Sequence, residues 1–339
     1  MATAPLPATR TAWFRRRLSV PAPRVPAPDP PLERNAAQRR LNELFALDDG
    51  ADIPEMTRTR LLEPEVGTPT TIVIWHGFTN APSQFVAVGE RLRDAGYRVL
   101  LPRMPHHGQA DLLNRDLKNL TEAELVAHVN TCIDIAAGLG QRVWVVGLSA
   151  GGTMAGWAAA TRPEVSRVVI AAPLVAPKGF PMPAVRLCVK YPRIVPGMYM
   201  WWDPRVKADL GHSPYAYPGF PLPGVVPFLH LSESLFDGSV RVRHRLERAV
   251  LVSNSNDLAV RQDAARAFGA SVFGSSADYY GEAVIDPGLG WAHDFVDPWS
   301  PGAGSTEQVT AILSACLGLG HPAAGGVLVP PLVAEQPIT

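Results

Sequence analysis

Short apolar runs alternate with amphipathic stretches through the first half of the chain. Runs rich in β-branched residues predict strands that are apolar on both faces, over residues 70–75, 97–101, 142–147 and 165–171. Apolar residues at helical spacing predict helices between them, over residues 83–94, 121–139 and 150–161. This alternation predicts an α/β fold with a mostly parallel, doubly wound sheet that helices cover on both faces.

Local signals mark both ends of the longest of these helices. Thr121 is a typical N-cap residue and Glu124 follows three positions later, which predicts a capping box. Gly140 follows the last apolar position and predicts that the helix ends there.

The alternation breaks at Pro173 and returns near residue 245. Twelve prolines lie between Pro173 and Pro227, among several Trp, Tyr, Met and Phe residues. This segment is too apolar for a linker and too rich in proline for the core of a sheet. We therefore expect residues 173–244 to form a cap insertion over the carboxyl edge of the sheet. The core resumes with a strand, a short helix, a last strand and a closing helix, over residues 249–253, 265–268, 279–285 and 307–319.

Both ends of the chain differ from the expected α/β core of residues 34–172 and 245–320. Residues 1–33 contain eight prolines between Pro5 and Pro31, among small residues and arginines. Such a segment buries too little apolar surface to offset its ordering entropy, so we expect a disordered arm. Weak contact of this basic arm with an anionic membrane surface is an open alternative. A short helix is expected over residues 35–46, and a flexible tail over residues 321–339.

The composition narrows the class of protein. Hydrophobic residues make up 47% of the 339 residues and charged residues 18%, which is enough for a sizeable core. Lys and Arg balance Asp and Glu at 31 each, so charge gives no reason to expect a nucleic-acid partner. The chain lacks the apolar run of roughly 18 residues that predicts a transmembrane helix. No apolar stretch follows the arginines at 15–17, so a secretory signal is not expected.

The cysteines indicate a cellular compartment. Cys132, Cys188 and Cys316 are odd in number and far apart, and they form no CxxC or Cys/His metal pattern. We expect free thiols in a reducing compartment, which favours the cytoplasm, and no metal or other cofactor. A catalytic cysteine is a weak alternative, because no activating context surrounds any of the three.

The stretch Gly147-Leu148-Ser149-Ala150-Gly151 lies where a predicted strand turns directly into a predicted helix. Glycine on either side allows strand and helix to approach closely around a strained turn. Ser149 would then project its hydroxyl above the sheet edge, close to the positive end of the helix. This position suits a nucleophile for acyl chemistry. The alternative is a chance Gly-x-Ser-x-Gly match at the start of a helix rich in small residues.

A serine nucleophile needs a base, and the chain offers nine histidines. His293 lies in the loop between the last predicted strand and the closing helix, which has the topology to reach the carboxyl edge of the sheet. We predict that His293 is the base. His106 and His107 share another loop at that edge and are rivals for the role, although they are more typical of residues that shape the loop.

The acid that orients this base should follow a strand and precede His293 in the chain. Asp257 meets both conditions, since it lies just past the strand predicted over 249–253. Asp294 and Asp297 are nearer to His293 in sequence, but a neighbouring side chain rarely meets the ring nitrogen in line. Asp263 is expected to start a helix, where an acid has a capping role.

Acyl transfer also needs N–H donors for the developing oxyanion. The turn itself aims the backbone N–H of Ala150. The segment that follows the first central strand is His76-Gly77-Phe78-Thr79. Gly77 permits a close backbone approach, which makes the N–H of Phe78 the second predicted donor. An ordinary strand-to-helix turn capped by Asn80 and Ser83 is the alternative.

Together these segments resemble the α/β-hydrolase superfamily, in particular its serine carboxylesterase and monoacylglycerol-lipase-like branch. The resemblance covers about residues 57–319 and includes the order of serine, acid and histidine along the chain. It implies Ser149 as nucleophile, His293 as general base and then acid, and Asp257 as orienting carboxylate. It also implies Phe78 and Ala150 as oxyanion donors, a cap over residues 173–244, and no cofactor or metal.

Two positions depart from the pattern of that superfamily. Asn80 stands where a glycine often follows His-Gly-Phe-Thr, and His106 stands where Gly-His-Gly is common. Either change is expected to reshape the leaving-group side of the pocket. The pattern His-Gly-Gly-Gly is absent, which by family analogy argues against esters of tertiary alcohols.

These features predict a serine hydrolase that cleaves small apolar esters, with short or medium acyl chains or of the monoacylglycerol type. A serine peptidase or amidase of the same fold is one alternative, and it would need acidic cap residues to hold a substrate amine. The acidic residues that the cap segment offers are few: Asp203, Asp209, Glu233 and Asp237. A hydrolase-like protein that binds a ligand without catalysis is the other alternative, which the presence of all three predicted catalytic residues disfavours.

Overall fold

The computed structural model describes residues 22–25, 32–49, 52–203 and 213–319. The expected tail over 321–339 lies outside these residues, as does the expected arm over 1–33 apart from 22–25, 32 and 33. The strands within the described residues are β1 (Arg60–Leu62), β2 (Thr70–Trp75), β3 (Arg98–Leu101), β4 (Arg142–Leu148), β5 (Val165–Ala171), β6 (Tyr199–Trp201), β7 (Gly219–Pro221), β8 (Leu246–Asn254) and β9 (Ala277–Ile285). The α-helices are α1 (Arg34–Asp49), α2 (Val86–Asp94), α3 (Glu122–Leu139), α4 (Ala150–Thr161), α5 (Met182–Lys190), α6 (Val226–Phe236), α7 (Gln262–Phe273) and α8 (Thr306–Cys316).

The main sheet has seven strands in the order β1-β3-β2-β4-β5-β8-β9. β1 runs antiparallel to β3, and every other neighbouring pair in the sheet is parallel. Every residue of β2 is buried, as expected for a central strand that is covered on both faces. The predicted fold class, a mostly parallel α/β sheet, is therefore confirmed.

The helices contact one another in two groups. α2 packs against α8, whereas α1, α3, α4, α6 and α7 form a chain of contacts, and α5 packs against α6. α4 is buried from Ala150 to Ala160, because it lies between the sheet strands β4 and β5 and helix α6. This position explains why α4 is built mainly from glycine and alanine, which allow close packing on all sides.

The predicted capping box is present at the start of α3. Thr121 accepts a hydrogen bond from the Glu124 N–H at 3.3 Å, and the Glu124 carboxylate accepts one from the Thr121 N–H at 2.8 Å. None of the helices in the described part of the chain has the length and apolar character needed to cross a membrane.

Residues 173–244 hold more regular structure than their proline content indicated. This segment contains α5 and α6 as well as the antiparallel pair β6 and β7. The helices tolerate proline because Pro183 and Pro227 lie in their first turns, where a backbone N–H would have no partner within the helix. The helix expected over 265–268 is longer in the structure, where it forms α7. The edge strand β1 was not predicted.

The sheet places several predicted site residues at one edge. Trp75 at the end of β2 pairs with Gly147 of β4, and Leu148 pairs with Ala171 at the end of β5. Parallel strands end at the same edge of a sheet, so the loops that follow β2, β4, β8 and β9 all start there. The loops after these four strands carry Phe78, Ser149, Asp257 and His293.

Candidate active site

Ser149 lies at a tight turn between β4 and α4. Its backbone angles are φ 57° and ψ −116°, on the left-handed side that residues with a side chain rarely adopt. The Ser149 N–H donates to the Ala171 carbonyl at 2.8 Å, and the Ser149 carbonyl accepts from the N–H groups of Thr153 and Leu174 at 3.0 and 3.1 Å. These three hydrogen bonds hold the strained conformation, which persists only where the surroundings fix it.

Glycines allow the backbone to come close on both sides of this turn. A Cβ on Gly147 would lie 2.0 Å from the Gly151 carbonyl oxygen, and a Cβ on Gly151 would lie 2.1 Å from the Trp75 carbonyl oxygen. Both neighbours are backbone atoms that cannot rotate away. The start of α4 therefore packs directly on the ends of β2 and β4, and this contact fixes the direction of the Ser149 side chain.

Gly151→Ala is expected to destabilise the fold. The added methyl would also lie 2.5 Å from the His76 carbonyl oxygen, so the end of β2 would have to move. We expect the free energy of unfolding in urea to fall by about 2–4 kcal/mol. Gly156→Ala in the same helix is the matched control, because its Cβ would meet its nearest atom at 3.6 Å. That variant should gain about 0.5–1 kcal/mol from helix propensity, and equal stability of the two variants would contradict the close approach.

His293 and Asp257 are joined by a hydrogen bond. The His293 ring donates through Nδ1 to Asp257 Oδ2 at 2.7 Å, so its Nε2 is the acceptor in the neutral ring. The Asp257 carboxylate is fully buried and accepts three more hydrogen bonds, from the N–H groups of Ala259 and Val260 and from Gln262 Nε2, at 2.7 to 3.0 Å. These donors fix the orientation of the carboxylate, which in turn fixes the ring.

Asn254 joins the loop of the acid to the loop of the histidine. Its Nδ2 donates to the carbonyl oxygens of Trp291 and Ala292 at 2.9 and 2.8 Å. The Asp257 N–H donates to the Asn254 carbonyl at 3.1 Å, so one residue at the end of β8 supports both loops. The sequence did not reveal this role, although an asparagine that ends an apolar strand just before the predicted acid was the available signal.

Ser149 and His293 both line one cavity of about 510 Å³. No hydrogen bond joins their side chains in the part of the chain that the structure describes, and such contacts are often open in the absence of substrate. Most of the remaining wall is apolar and includes Leu148, Trp202, Ala216, Pro218, Leu258 and Trp299. The arrangement brings the predicted nucleophile and the predicted base to a site with room for a small organic substrate.

The predicted oxyanion donors, Phe78 and Ala150, follow β2 and β4 at the sheet edge that also carries Ser149. The backbone N–H groups of Phe78 and Ala150 donate no hydrogen bond to another described residue, and Phe78 lines the cavity. The neighbouring Gly77 N–H is used elsewhere, since it donates to Gln84 Oε1 at 2.7 Å. Thr79 has a φ of 66° and turns the loop back, so that the Asn80 N–H donates to the Gly77 carbonyl at 3.1 Å. The N–H groups of Phe78 and Ala150 therefore have no protein acceptor among the described residues, as donors for a developing oxyanion must.

His76 supports this loop from beneath. Its Nδ1 contacts the Gly77 carbonyl at 2.9 Å, and its Nε2 accepts the Met104 N–H at 3.2 Å. Burial lowers the pKa of His76 to about 3, so the ring is neutral at physiological pH.

The rival histidines lie away from the described wall of the cavity. His106 has carboxylates on both ring nitrogens, Asp116 at 2.8 Å and Glu124 at 3.1 Å. Burial opposes the charged form, but these hydrogen bonds prevail and raise the pKa of His106. Burial lowers the pKa of His107 well below its usual value. Both histidines shape the loop between β3 and α3.

The rival acids accept no hydrogen bond from the His293 ring in the described structure. Asp263 lies in the first turn of α7 and pairs with Arg261. Asp294 and Asp297 line the cavity and accept hydrogen bonds from Asn80 at 2.9 and 3.3 Å. Burial, and then the charge of Asp297, raise the pKa of Asp294 to about 6.

The acidic residues of segment 173–244 are placed differently from one another. Asp203 lines the cavity, Glu233 is buried and pairs with Arg186 at 2.5 Å, and Asp209 lies outside the described residues. The cysteines do not line the described cavity wall. Burial raises the pKa of the Cys132 thiol and, to about 12, that of Cys316, which disfavours a thiolate nucleophile. No group of three or more His, Cys, Asp or Glu residues among those described is arranged to hold a metal ion.

Comparison with known proteins agrees with this architecture. Residues 70–213 match the family model of the α/β hydrolase fold. A thermostable monoacylglycerol lipase from Bacillus sp. (strain H-257) is 32% identical over 101 residues, which are 30% of this chain and 39% of the lipase. The match therefore spans about two fifths of the length of that relative.

Solved structures extend the likeness over most of the chain. A structure from work on LipS and LipT, two metagenome-derived lipolytic enzymes, superposes with a TM-score of 0.59 at 16% identity and covers 78% of this chain and 99% of its own. The monoacylglycerol lipase of Paleococcus ferrophilus gives a TM-score of 0.55 at 18% identity, covering 77% and 98%. A soluble variant of the Saccharomyces cerevisiae monoglyceride lipase gives 0.53 at 13% identity, covering 76% and 90%. At these identities the superpositions show the fold alone.

The sheet order, the turn at Ser149 and these matches define the chain as an α/β-hydrolase-fold protein. Within that class it is similar to monoacylglycerol lipases. The resemblance to the monoacylglycerol-lipase-like branch that the motifs indicated is confirmed.

Proposed function

We propose that this protein hydrolyses carboxylic esters with an apolar acyl group through a covalent acyl–enzyme on Ser149. The observation that carries the proposal is the 2.7 Å hydrogen bond from His293 Nδ1 to the buried Asp257 carboxylate. This bond leaves Nε2 of an oriented imidazole as the acceptor at the cavity that Ser149 also lines. An oriented base that lines the same cavity as a strained serine is the arrangement that acyl transfer needs.

In the first half of the proposed reaction, the Ser149 Oγ attacks the ester carbonyl carbon while His293 Nε2 takes the hydroxyl proton. The carbonyl oxygen becomes an oxyanion and accepts hydrogen bonds from the Phe78 and Ala150 N–H groups. The C–O bond to the alcohol then breaks, and His293 returns its proton to the leaving oxygen. The buried Asp257 carboxylate stabilises the imidazolium between these two transfers.

In the second half, a water molecule attacks the acyl–serine and gives its proton to His293. The same two N–H groups hold the second oxyanion. Collapse of this intermediate breaks the bond to Ser149 Oγ, releases the carboxylic acid and restores the serine hydroxyl with the proton from His293. Every proton moves among the Ser149 hydroxyl, the His293 ring, the leaving alcohol and water, so the scheme needs no metal or organic cofactor.

The cavity wall supports an apolar substrate. Leu258 and Trp299 are 81% and 58% exposed, which is unusual for such large apolar side chains, and both line the cavity. A volume of about 510 Å³ suits a ligand with a short or medium acyl chain. We propose small apolar esters, including those of the monoacylglycerol type, as the substrate class.

Hydrolysis of a series of 4-nitrophenyl esters from acetate to decanoate tests this proposal, with monoacylglycerols of the same chain lengths measured by glycerol release. We expect saturable turnover with a maximum of kcat/KM within the series, because the apolar wall has finite length. A fluorophosphonate probe should label one site, which mass spectrometry of peptides would place at Ser149. Absence of turnover at every chain length, or faster cleavage of matched 4-nitroanilides, would refute ester hydrolysis as the function.

The state of the cysteines supports a location. Cys132, Cys188 and Cys316 are all free, and two of them are buried. Free thiols are typical of proteins in a reducing compartment, so we propose the cytoplasm.

A further inference from the structure

A buried polar cluster lies between the loop after β2 and the loop that carries His293. We call it the Asp294 cluster, and it consists of Asn80, Gln84, Tyr215, Asp294 and Asp297. Its members come from three separate parts of the chain. Asn80 departs from the superfamily pattern, and Asp257 rather than Asp294 meets the His293 ring, so the proposed reaction gives the cluster no role.

Residues 76–85, between β2 and α2, carry Phe78 and are called the oxyanion loop here; within this loop Gln84 connects the Asp294 carboxylate to Gly77. Its Nε2 donates to Asp294 Oδ1 at 2.7 Å, while its Oε1 accepts the Gly77 N–H at 2.7 Å. Gly77 immediately precedes Phe78, whose N–H is a proposed oxyanion donor. Two short hydrogen bonds therefore lead from the residue after His293 to the residue before Phe78.

Asn80 provides a second connection to the same carboxylate. Its Nδ2 donates to Asp294 Oδ2 at 2.9 Å, and its Oδ1 accepts the Ala81 N–H at 2.9 Å. Both oxygens of Asp294 thus accept amide protons from the oxyanion loop. A glycine at position 80 would lack the side chain that makes this contact, so the departure at Asn80 and the acid at 294 form one structural feature.

Asp297 secures the other side of the cluster. Its Oδ2 accepts from Asn80 Nδ2 at 3.3 Å, and its Oδ1 accepts from the Tyr215 hydroxyl at 2.7 Å and from the Trp299 N–H at 3.0 Å. Asp297 is 1% exposed, so these bonds are shielded from water. Hydrogen bonds to a carboxylate in such surroundings are stronger than those in water and resist displacement.

We propose that Asp294 is a positioning residue, which holds the oxyanion loop at a fixed distance from His293 so that both act on one substrate carbonyl. The inference rests on the proposed ester hydrolysis and adds a residue to it. Asp294 acts through Gln84 and Asn80, because its carboxylate oxygens are occupied by protein donors. A displacement of a donor by about 1 Å is enough to lower a catalytic rate by roughly a hundredfold, so such a link has a measurable effect.

Asp294→Asn tests the link, because an amide at this position cannot accept both hydrogen bonds. Its NH₂ group would replace one of the two carboxylate oxygens, so a donor would meet the amide donor of either Asn80 or Gln84. We expect kcat for the preferred 4-nitrophenyl ester to fall about tenfold or more, with KM within about twofold, since the binding wall is unchanged. Asp286→Asn is the matched control, because Asp286 is exposed near the start of the same loop and only caps a short turn. It should retain the wild-type kcat.

The reciprocal exchange Asn80→Asp/Asp294→Asn separates positioning from general destabilisation. It reverses donor and acceptor across the 2.9 Å contact and leaves the amide oxygen at 294 to accept from Gln84. We expect kcat to recover several-fold over Asp294→Asn; full recovery is not expected because an acid at 80 would face Asp297. A double variant no more active than the single one would overturn the proposal.

Hydrogen–deuterium exchange gives a readout that does not depend on ester turnover. Asp294→Asn should accelerate exchange of the Gly77 N–H and of the peptide around His293, whereas Asp286→Asn should not. If the wild type hydrolyses no ester, the proposed function fails and this measurement alone decides the inference. Unchanged exchange, or a kcat within twofold of wild type, overturns it. If Asp294→Asn does not fold, Asn80→Ala removes one connection only, and an unchanged kcat in that variant overturns the proposal as well.

Discussion

Ser149→Ala is expected to lower kcat for ester hydrolysis by a factor of roughly 10⁴–10⁶. The variant removes the only atom that would bond to the acyl carbon, and the remaining oxyanion donors would accelerate attack by water only weakly. The Ser149 side chain makes no capping hydrogen bond to α4, so removing its hydroxyl takes no such bond from the fold. We therefore expect the midpoint of thermal unfolding to stay within about 2 °C of wild type, since only a large loss of interaction would move it further.

Ser271→Ala is the control for this variant, because Ser271 is exposed on α7 and alanine is the better helix former there. It should hydrolyse esters at the wild-type rate and react with the fluorophosphonate probe. Residual turnover above about one hundredth of wild type in Ser149→Ala would show that another group is the nucleophile.

Asp257→Asn is expected to lower kcat by roughly 10²–10⁴. Oδ1 of Asp257 accepts from two backbone N–H groups, and Oδ2 accepts from Gln262 and from His293 Nδ1. An amide at this position must turn its NH₂ group toward one of these pairs. The backbone N–H groups hold the amide oxygen, so the NH₂ group faces His293 and makes Nδ1 the acceptor. The ring then carries its proton on Nε2 and cannot receive one from Ser149.

Asp263→Asn is the matched control for Asp257→Asn. Asp263 lies six positions further along the chain, is exposed, and pairs with Arg261 at the start of α7. The dependence of kcat on pH gives an additional check. The wrong tautomer of His293 should lower kcat at every pH, whereas a change in the pKa of the ring alone would shift the curve along the pH axis. Equal activities of the two variants would remove Asp257 from the proposed mechanism.

The sequence predicts the sheet well because each core strand carries its own signal. β2, β5 and α4 begin and end where their apolar runs and glycines indicated. β1 escaped prediction because it has three half-buried residues and no alternation to reveal it. α6 escaped because its proline lies in the first turn, where the usual interpretation of proline as a helix breaker does not apply.

The candidate site also has a part that the sequence predicts and a part that it does not. Ser149 is recognised from its neighbours in sequence, and the order of strands and loops leads from it to Asp257 and His293. The Asp294 cluster has no such signal, because Asn80 and Asp294 are 214 positions apart and Gln84 and Asp294 are 210 apart. A contact of this kind exists only after β2 and the loop beyond β9 have reached the same end of the sheet. Single residues there look like ordinary surface polar positions until the tertiary structure joins them.

The strained turn at Ser149 determines when the serine can become reactive during folding. The atoms that close this turn belong to Trp75, Ala171 and Leu174. These neighbouring stretches of chain must therefore be in place before their contacts can stabilise the left-handed conformation of Ser149. If Ser149 reacts as proposed, an incompletely assembled chain has an ordinary, unreactive serine. The fraction of chains that a covalent probe labels at Ser149 during refolding would therefore report the fraction in which the sheet has assembled. The time course of labelling would follow the last stage of core formation.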